Sequence, residues 1–330
     1  MTTSARRPRT RRRASGSTAS RKKITMGKAG TDVPSNSSTR LLAKDVRPAL
    51  VLSGGGLLGA VQVGVLKALF LGGLRPSMVV GTSVGALNGA FVAFQPDSVG
   101  IAELEAVWRD LRASRVFEQN PVRLAANLIT RRNCMFRTDL LQQLIDDSLP
   151  TDDFAAAQVP LSVVATDMTR GEKVVFEDGP VSRAVLASCA IPGLFCPIEL
   201  DGALLVDGGL VANMDLETAV NAGATDILAI DLTQPPDGFK SDSIMKVLYR
   251  SLELLLQQQV RRDIERFSDR ARITVIRPQL DHAHTLVSFG HIGHLIDEGE
   301  RLGRQLLEEC VDDDGHLSCG LVTNEPSVVQ

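Results

Sequence analysis

Ser83 lies in "GTSVG", Gly81 to Gly85, between the apolar run "MVV" and the helix-like "ALNGAFVAF". A G-x-S-x-G elbow from strand to helix forces its serine into a strained backbone conformation and brings neighbouring chain close, hence the glycines. The hydroxyl is then exposed near a helix N-terminus, where developing negative charge is favoured. Five residues alone are weak evidence, and a serine that only caps the helix is the simpler alternative. That alternative leaves Gly81 and Gly85 unexplained.

A serine nucleophile needs a base and an oxyanion hole. Asp207 in "LLVDGGL" is a candidate base at a strand end, where two glycines leave its carboxylate open to a small neighbour. A carboxylate of ordinary pKa is a poor base toward serine, so it must be desolvated and tightly placed. Asp167, Asp178 and Asp201 stand in similar turn-like settings, and taken alone Asp207 is a turn residue too. The five histidines all lie late, at His282, His284, His291, His294 and His316, so the order Ser…Asp…His of an α/β-hydrolase is also available. No turn signature singles out one imidazole, and the elbow comes early for that fold.

The glycine stretch "SGGGLLGA", Ser53 to Ala60, follows the strand-like "ALVL" and offers Gly54, Gly55 and Gly56 as backbone donors for an anion. Gly54, Gly56 and Gly59 also spell G-x-G-x-x-G, the dinucleotide fingerprint. A dinucleotide site wants an acid at the end of the second strand, and no acid stands between Lys67 and Asp97. A P-loop fails as well, because Ala60 and Val61 follow Gly59 where Lys and Ser/Thr are needed. An anion that exists only during a reaction fits better than a bound phosphate. No H-E-x-x-H, C-x-x-C or calcium loop occurs, so neither metal nor cofactor is expected.

The elements that must position these groups alternate. Strand, glycine turn and helix occur twice between residues 49 and 94, which implies a parallel pair with a right-handed crossover and both turns at the carboxyl ends of strands. Residues 97–150 look mainly helical. "VPLSVVATDM" and "EKVVFEDG" predict a strand pair, "SRAVLASCA" a short helix, and "GATDILAIDL" and "RITVIRP" later strands. Residues 243–269 predict a long amphipathic helix, and "HIGHLIDEGERLGRQLLEEC" a closing one. Residues 48–66 and 76–96 carry no charge and approach membrane-spanning length, yet their glycines and polar residues fit buried βα units better than bilayer spans.

"SGGGLLGAVQVGVLKAL", "GTSVGALNGA", "ASCAIPGLFCP" and "DGGLVAN", in this order, resemble the patatin-like phospholipase family from about Ala49 to about Ile230. The resemblance implies a three-layer α/β/α fold with a mostly parallel central sheet. It implies hydrolysis of acyl esters in phospholipids or related lipids by a Ser-Asp dyad. Carried over, Ser83 is the nucleophile, Asp207 the base, and Gly54, Gly55 and Gly56 the oxyanion loop. Two positions depart: the family usually has Arg or Lys where Leu58 stands, and Asn-x-Pro where this chain has Asn213-Met214-Asp215. A Ser-His-Asp esterase and a catalytically silent regulator or membrane-surface binder of the same fold are the alternatives.

Residues 1–47 carry 13 Lys/Arg against 2 Asp/Glu, whereas the whole chain of 330 residues is at −3. This stretch has few large apolar residues and no apolar h-region, so it predicts a disordered tail ahead of a domain over 48–312 and a loose end at 313–330. Met26 is an alternative start. The basic run offers contact with an anionic membrane but no specific nucleic-acid motif. Five cysteines without a C-x-x-C suit a reducing cytoplasm, with neither a disulfide framework nor a zinc site, and the protein at most peripheral to a membrane. The oligomeric state is left open.

Overall fold

The computed structural model describes residues 41–117, 134–234, 244–280 and 289–323. The basic stretch 1–40 lies outside them, as do His282 and His284. Strand β1 (Ala49–Leu52) leads through the glycine loop into helix α1 (Gly59–Leu71), and β2 (Met78–Thr82) leads through the elbow into α2 (Val84–Phe94). Helix α3 (Ser98–Asp110) follows, started by the Asp97 carboxylate accepting from two amides of its first turn. Then come α4 (Ala113–Val116), β3 (Cys134–Phe136), α5 (Asp139–Ser148), the strand pair β4 (Leu161–Asp167) and β5 (Glu172–Phe176), and α6 (Val181–Ser188). Strands β6 (Gly193–Phe195), β7 (Ile198–Leu200) and β8 (Ala203–Asp207) precede the short helices α7 (Gly209–Ala212) and α8 (Leu216–Asn221). The chain ends with β9 (Asp226–Ile230), α9 (Ile244–Phe267), β10 (Arg272–Ile276), α10 (Ile292–Glu309) and β11 (Leu321–Val322).

The main sheet runs β11-β10-β9-β1-β2-β4-β8-β7, with β5 also on β4, and is parallel from β11 through β4. Its pleat divides the core. Leu50 and Leu52 of β1 face the cluster built with α1, α2, α3 and α10, while Ala49 and Val51 face Leu216, Val260 and Phe267 on α8 and α9. Three layers, helix on sheet on helix, result. Helix α1 is buried on all sides from Gly59 to Leu66, the polar Gln62 included, while Lys67 is half-buried and Leu71 exposed. The two uncharged stretches of near-spanning length are therefore core βα units, and among the described residues no helix is long and apolar enough to cross a membrane.

Register brings Ser83 and Asp207 together. Along one side of β4, β2 pairs with residues up to Thr82↔Val164, and β8 continues on the same side from Asp207↔Ala165, running the other way. The opposite side of β4 is occupied by β5 throughout this stretch. The carboxyl ends of β2 and β8 thus meet tip to tip, one residue before Ser83 and on Asp207 itself.

Three expectations are corrected. Residues 313–330 are not loose throughout: Leu321–Val322 pair with β10, and the Gly315 carbonyl accepts from the Ala43 N–H. The folded body likewise begins before residue 48, since Leu42 is buried and its N–H donates to the Gly72 carbonyl. The cysteines do form bridges: Cys134 joins Cys196, and Cys310 joins Cys319, leaving Cys189 free and buried. Those bridges do not fit the reducing compartment expected from the cysteine pattern. Short strands β3 and β6, which form a separate two-stranded sheet, carry no alternating pattern long enough to be seen in the sequence.

Candidate active site

Ser83 is the only described residue other than Asp201 and the glycines with positive φ, at φ 55° and ψ −127°. The turn is sharp enough that a Cβ on Gly85 would stand 2.2 Å from the Leu52 carbonyl oxygen, and one on Gly81 2.5 Å from the Gly85 carbonyl. Only glycine fits at either position. The Ser83 N–H donates to Ser188 Oγ at 2.7 Å, so α6 pins the elbow from one side. Its hydroxyl, at the N-terminus of α2, donates to Asp207 Oδ2 at 2.6 Å.

Asp207 is 8% exposed. Its Oδ1 accepts from the Gly209 N–H at 2.8 Å, its own N–H donates to the Ala190 carbonyl, and its carbonyl accepts from Thr166 Oγ1. Desolvation raises its pKa to about 6, against the lowering effect of the bonds from Ser83 and Gly209. The carboxylate is thus held on both oxygens and made more basic by burial.

The glycine loop lies across the cavity from Asp207. Among the described residues, no hydrogen-bond partner takes the N–H of Gly55 or Gly56. Gly54 differs from the expected trio, because its N–H donates to the Asn213 carbonyl at 3.1 Å. It anchors the loop to the turn after Asp207 and is not free to meet an oxyanion. Ser53 is held from two directions: its carbonyl accepts from Gln62 Nε2 at 2.9 Å, and its Oγ accepts from the Leu232 N–H at 2.8 Å. Behind Gln62 runs a buried relay in which Trp108 Nε1 donates to Asn88 Oδ1, and Asn88 Nδ2 donates to Gln62 Oε1, each at 2.9 Å. Ser188, Gln62 and Asn88 were not singled out from sequence. The available signal was a lone amide inside an apolar helix, at "GAVQVGVL" and "ALNGAFVAF".

Two apolar cavities of about 100 and 110 Å³ meet at Ser83, Gly56 and Ile191. Leu58 lines the first and is buried. Asp215, the other departure, has a structural role: it caps α8 through the Thr218 N–H and pairs with Lys173 at 3.0 Å. Asp167 caps the tight turn that follows it and pairs with Arg170, as a turn residue does. No described histidine lines either cavity, and among the described residues no cluster of potential metal ligands occurs.

A serine on a strained strand-to-helix elbow, bonded to a buried aspartate beside a glycine loop, on a three-layer α/β/α fold, defines the class of protein. The sequence model of the patatin-like phospholipases matches residues 50–220. The chain is 33% identical over 186 residues to mouse patatin-like phospholipase domain-containing protein 6, covering 56% of this chain and 13% of that protein. It is 29% identical over 197 residues to an uncharacterized NTE family protein of Mycobacterium bovis, covering 60% and 52%. A Caenorhabditis elegans patatin-like phospholipase domain-containing protein is 28% identical over 288 residues, covering 80% and 21%. Among solved structures, VipD from Legionella pneumophila aligns with a TM-score of 0.48 and 16% identity, covering 84% of this chain and 71% of that one. This chain belongs to the patatin-like phospholipase family. It spans about half the length of the mycobacterial relative, and less of the animal ones.

Proposed function

We propose that this protein is a serine acyl hydrolase of lipid esters that works through a Ser-Asp dyad. Ser83 Oγ attacks the acyl carbonyl while its proton passes to Asp207 Oδ2. The N–H groups of Gly55 and Gly56, with the positive end of α2, receive the oxyanion. Collapse breaks the ester bond, and the proton on Asp207 goes to the departing alcohol oxygen. Water, deprotonated by the same carboxylate, then attacks the acyl-enzyme, and the bond to Ser83 Oγ breaks as Asp207 returns the proton to it and the fatty acid leaves.

The observation that carries this reading is the 2.6 Å bond from Ser83 to a carboxylate whose pKa burial has raised to about 6. No metal or cofactor has a step in it. The reading is tested with a fluorophosphonate probe and a nitrophenyl ester. Ser83→Ala is expected to abolish labelling, and Asp207→Asn to lower turnover on the order of 10³-fold or more. Labelling that survives in Ser83→Ala overturns the nucleophile, and undiminished turnover in Asp207→Asn overturns the base. Residues 1–47, with 13 Lys/Arg, are proposed to hold the enzyme against anionic membrane. Salt-sensitive binding to anionic vesicles that is lost when residues 1–40, which end before the buried Leu42, are deleted checks this.

A further inference from the structure

The two cavities at Ser83 are not equivalent, because only one contains Asp207. This difference decides where each half of an ester lies, if Ser83 and Asp207 act as proposed above. In acylation a bond forms from Ser83 Oγ to the acyl carbon and the bond to the alcohol oxygen breaks. The serine proton, held by Asp207, must reach that oxygen within hydrogen-bond range. The alcohol therefore occupies the cavity that Asp207 lines, and the acyl chain the other.

The side chains agree with that assignment. The cavity without Asp207 is walled by hydrocarbon and aromatic rings, among them Leu111, Phe117, Leu144, Leu194, Phe195 and Phe289. Trp108 also reaches it, but its only polar atom is used on Asn88. Nothing on this wall suits a head group, whereas a hydrocarbon tail needs nothing more. The cavity with Asp207 mixes leucines with Asn213, whose Nδ2 has no partner among the described residues, and Glu253; Thr233 and Gln234 also line it, but their side chains are used on Asp231 and on the backbone of Leu232, Pro278 and Leu280. Its only charged side chains among the described residues are two carboxylates, Asp207 and Glu253. Arg250 lies against Glu253 at 2.9 Å and does not line the cavity. Leu58 adds hydrocarbon to the same wall.

We infer that the natural leaving group is an uncharged, hydroxyl-bearing alcohol of the glycerol type seated on the Asn213–Glu253 side, with the acyl chain in the Phe117–Phe195 cavity. A phosphate-bearing alcohol would bring negative charge against Asp207 and the Arg250-paired Glu253, with no described cation in the wall to meet it.

The test compares, on the full-length protein, a monoacylglycerol with a lysophosphatidic acid of the same acyl chain. The glycerol ester is expected to have the higher kcat/KM by at least about tenfold, the scale of one unmet like charge at a partly buried site. Glu253→Lys is expected to narrow that ratio by raising lysophosphatidic acid turnover. The arms are separated by transient kinetics, because the alcohol has left before deacylation begins. Leu144→Trp should depress turnover of dodecanoyl more than butanoyl nitrophenyl ester and slow deacylation of the dodecanoyl-enzyme. Leu256→Trp should slow acylation by the glycerol ester but not deacylation.

Equal or faster hydrolysis of the lysophosphatidic acid by a wild-type enzyme that labels at Ser83 overturns the leaving-group inference alone. Loss of the dodecanoyl preference in Leu256→Trp but not in Leu144→Trp reverses the arms. Turnover that persists in Ser83→Ala removes the dyad reading itself, and the inference with it.

Discussion

Asp207 is asked to be a base toward a hydroxyl, and its surroundings set the pH at which it can be one. With a pKa near 6, raised mainly by desolvation, it is protonated below that pH and cannot accept the Ser83 proton. Turnover with a nitrophenyl ester is expected to rise tenfold per unit below about pH 6 and to level above it. A limb near pH 4 would mean that burial does not act on this carboxylate. The same shift bears on stability. The folded pKa lies above the ordinary 3.8, so the fold prefers the protonated form. Its contribution is full below about pH 4 and is lost as pH rises through about 6. A difference of about two units corresponds to about 3 kcal/mol. Asp207→Asn, which has no charge to bury, is therefore expected to unfold at a higher temperature than the parent at pH 8. That advantage should shrink as pH falls to 4, when melting curves of both are compared. A mutation that removes catalysis and gains stability is what a base held in an unfavourable setting predicts.

At the scale of elements, the glycine loop is positioned by groups on three helices. Gln62 of α1 holds the Ser53 carbonyl, Asn88 of α2 holds Gln62, and Trp108 of α3 holds Asn88. None of the three side chains is a candidate for chemistry, and all are buried. Replacing Asn88 by Leu leaves the Trp108 indole and the Gln62 carbonyl unpaired in an apolar layer, each a cost of about 1–3 kcal/mol. Asn88→Leu is expected to lower the unfolding midpoint. In the protein that remains folded, kcat should fall on the order of tenfold with little change in KM, since a displaced oxyanion donor acts on the transition state. Unchanged kcat would make the relay purely structural.

This is also the scale at which sequence was most and least informative. The elbow glycines, Ser83 and Asp207 could be picked out because a strand end, a small turn and a reactive side chain are adjacent in the chain. The 3.1 Å bond that removes Gly54 from the donors was not visible, because its acceptor, Asn213, is brought up by the meeting of β2 and β8. The Cys134–Cys196 bridge was hidden for the same reason, with partners 62 residues apart. Strand β11 is two residues long and exists only because β10 offers it an edge.

At the scale of the described molecule, helix α1 lies directly on helix α10. A Cβ on Gly64 of α1 would stand 1.9 Å from the Ile296 carbonyl oxygen, and one on Gly299 of α10 2.1 Å from that of Val61. The two backbones touch with no side chain between them. Lys67 then ties α1 to Glu105 of α3 and Glu300 of α10, at 3.0 Å in each case, and this pairing raises its pKa. In an open helix, Gly→Ala gains about 1 kcal/mol. Here the added methyl meets backbone that cannot turn aside, and overpacking of about 1–3 kcal/mol or more opposes the gain. Gly299→Ala is therefore expected to be destabilising by about 1–2 kcal/mol in urea titrations, and a stabilising result would mean that the helices are not in backbone contact. Gly64→Ala should behave alike. The double variant should cost less than the two singles together, because the first methyl already forces the seam apart. Helix α1 also carries Gln62, which fixes Ser53, so a seam opened at Gly299 should reach the glycine loop. Folded Gly299→Ala protein is thus expected to lose turnover while its fluorophosphonate-labelled fraction stays complete. Full turnover would show instead that α1 shifts without carrying the loop.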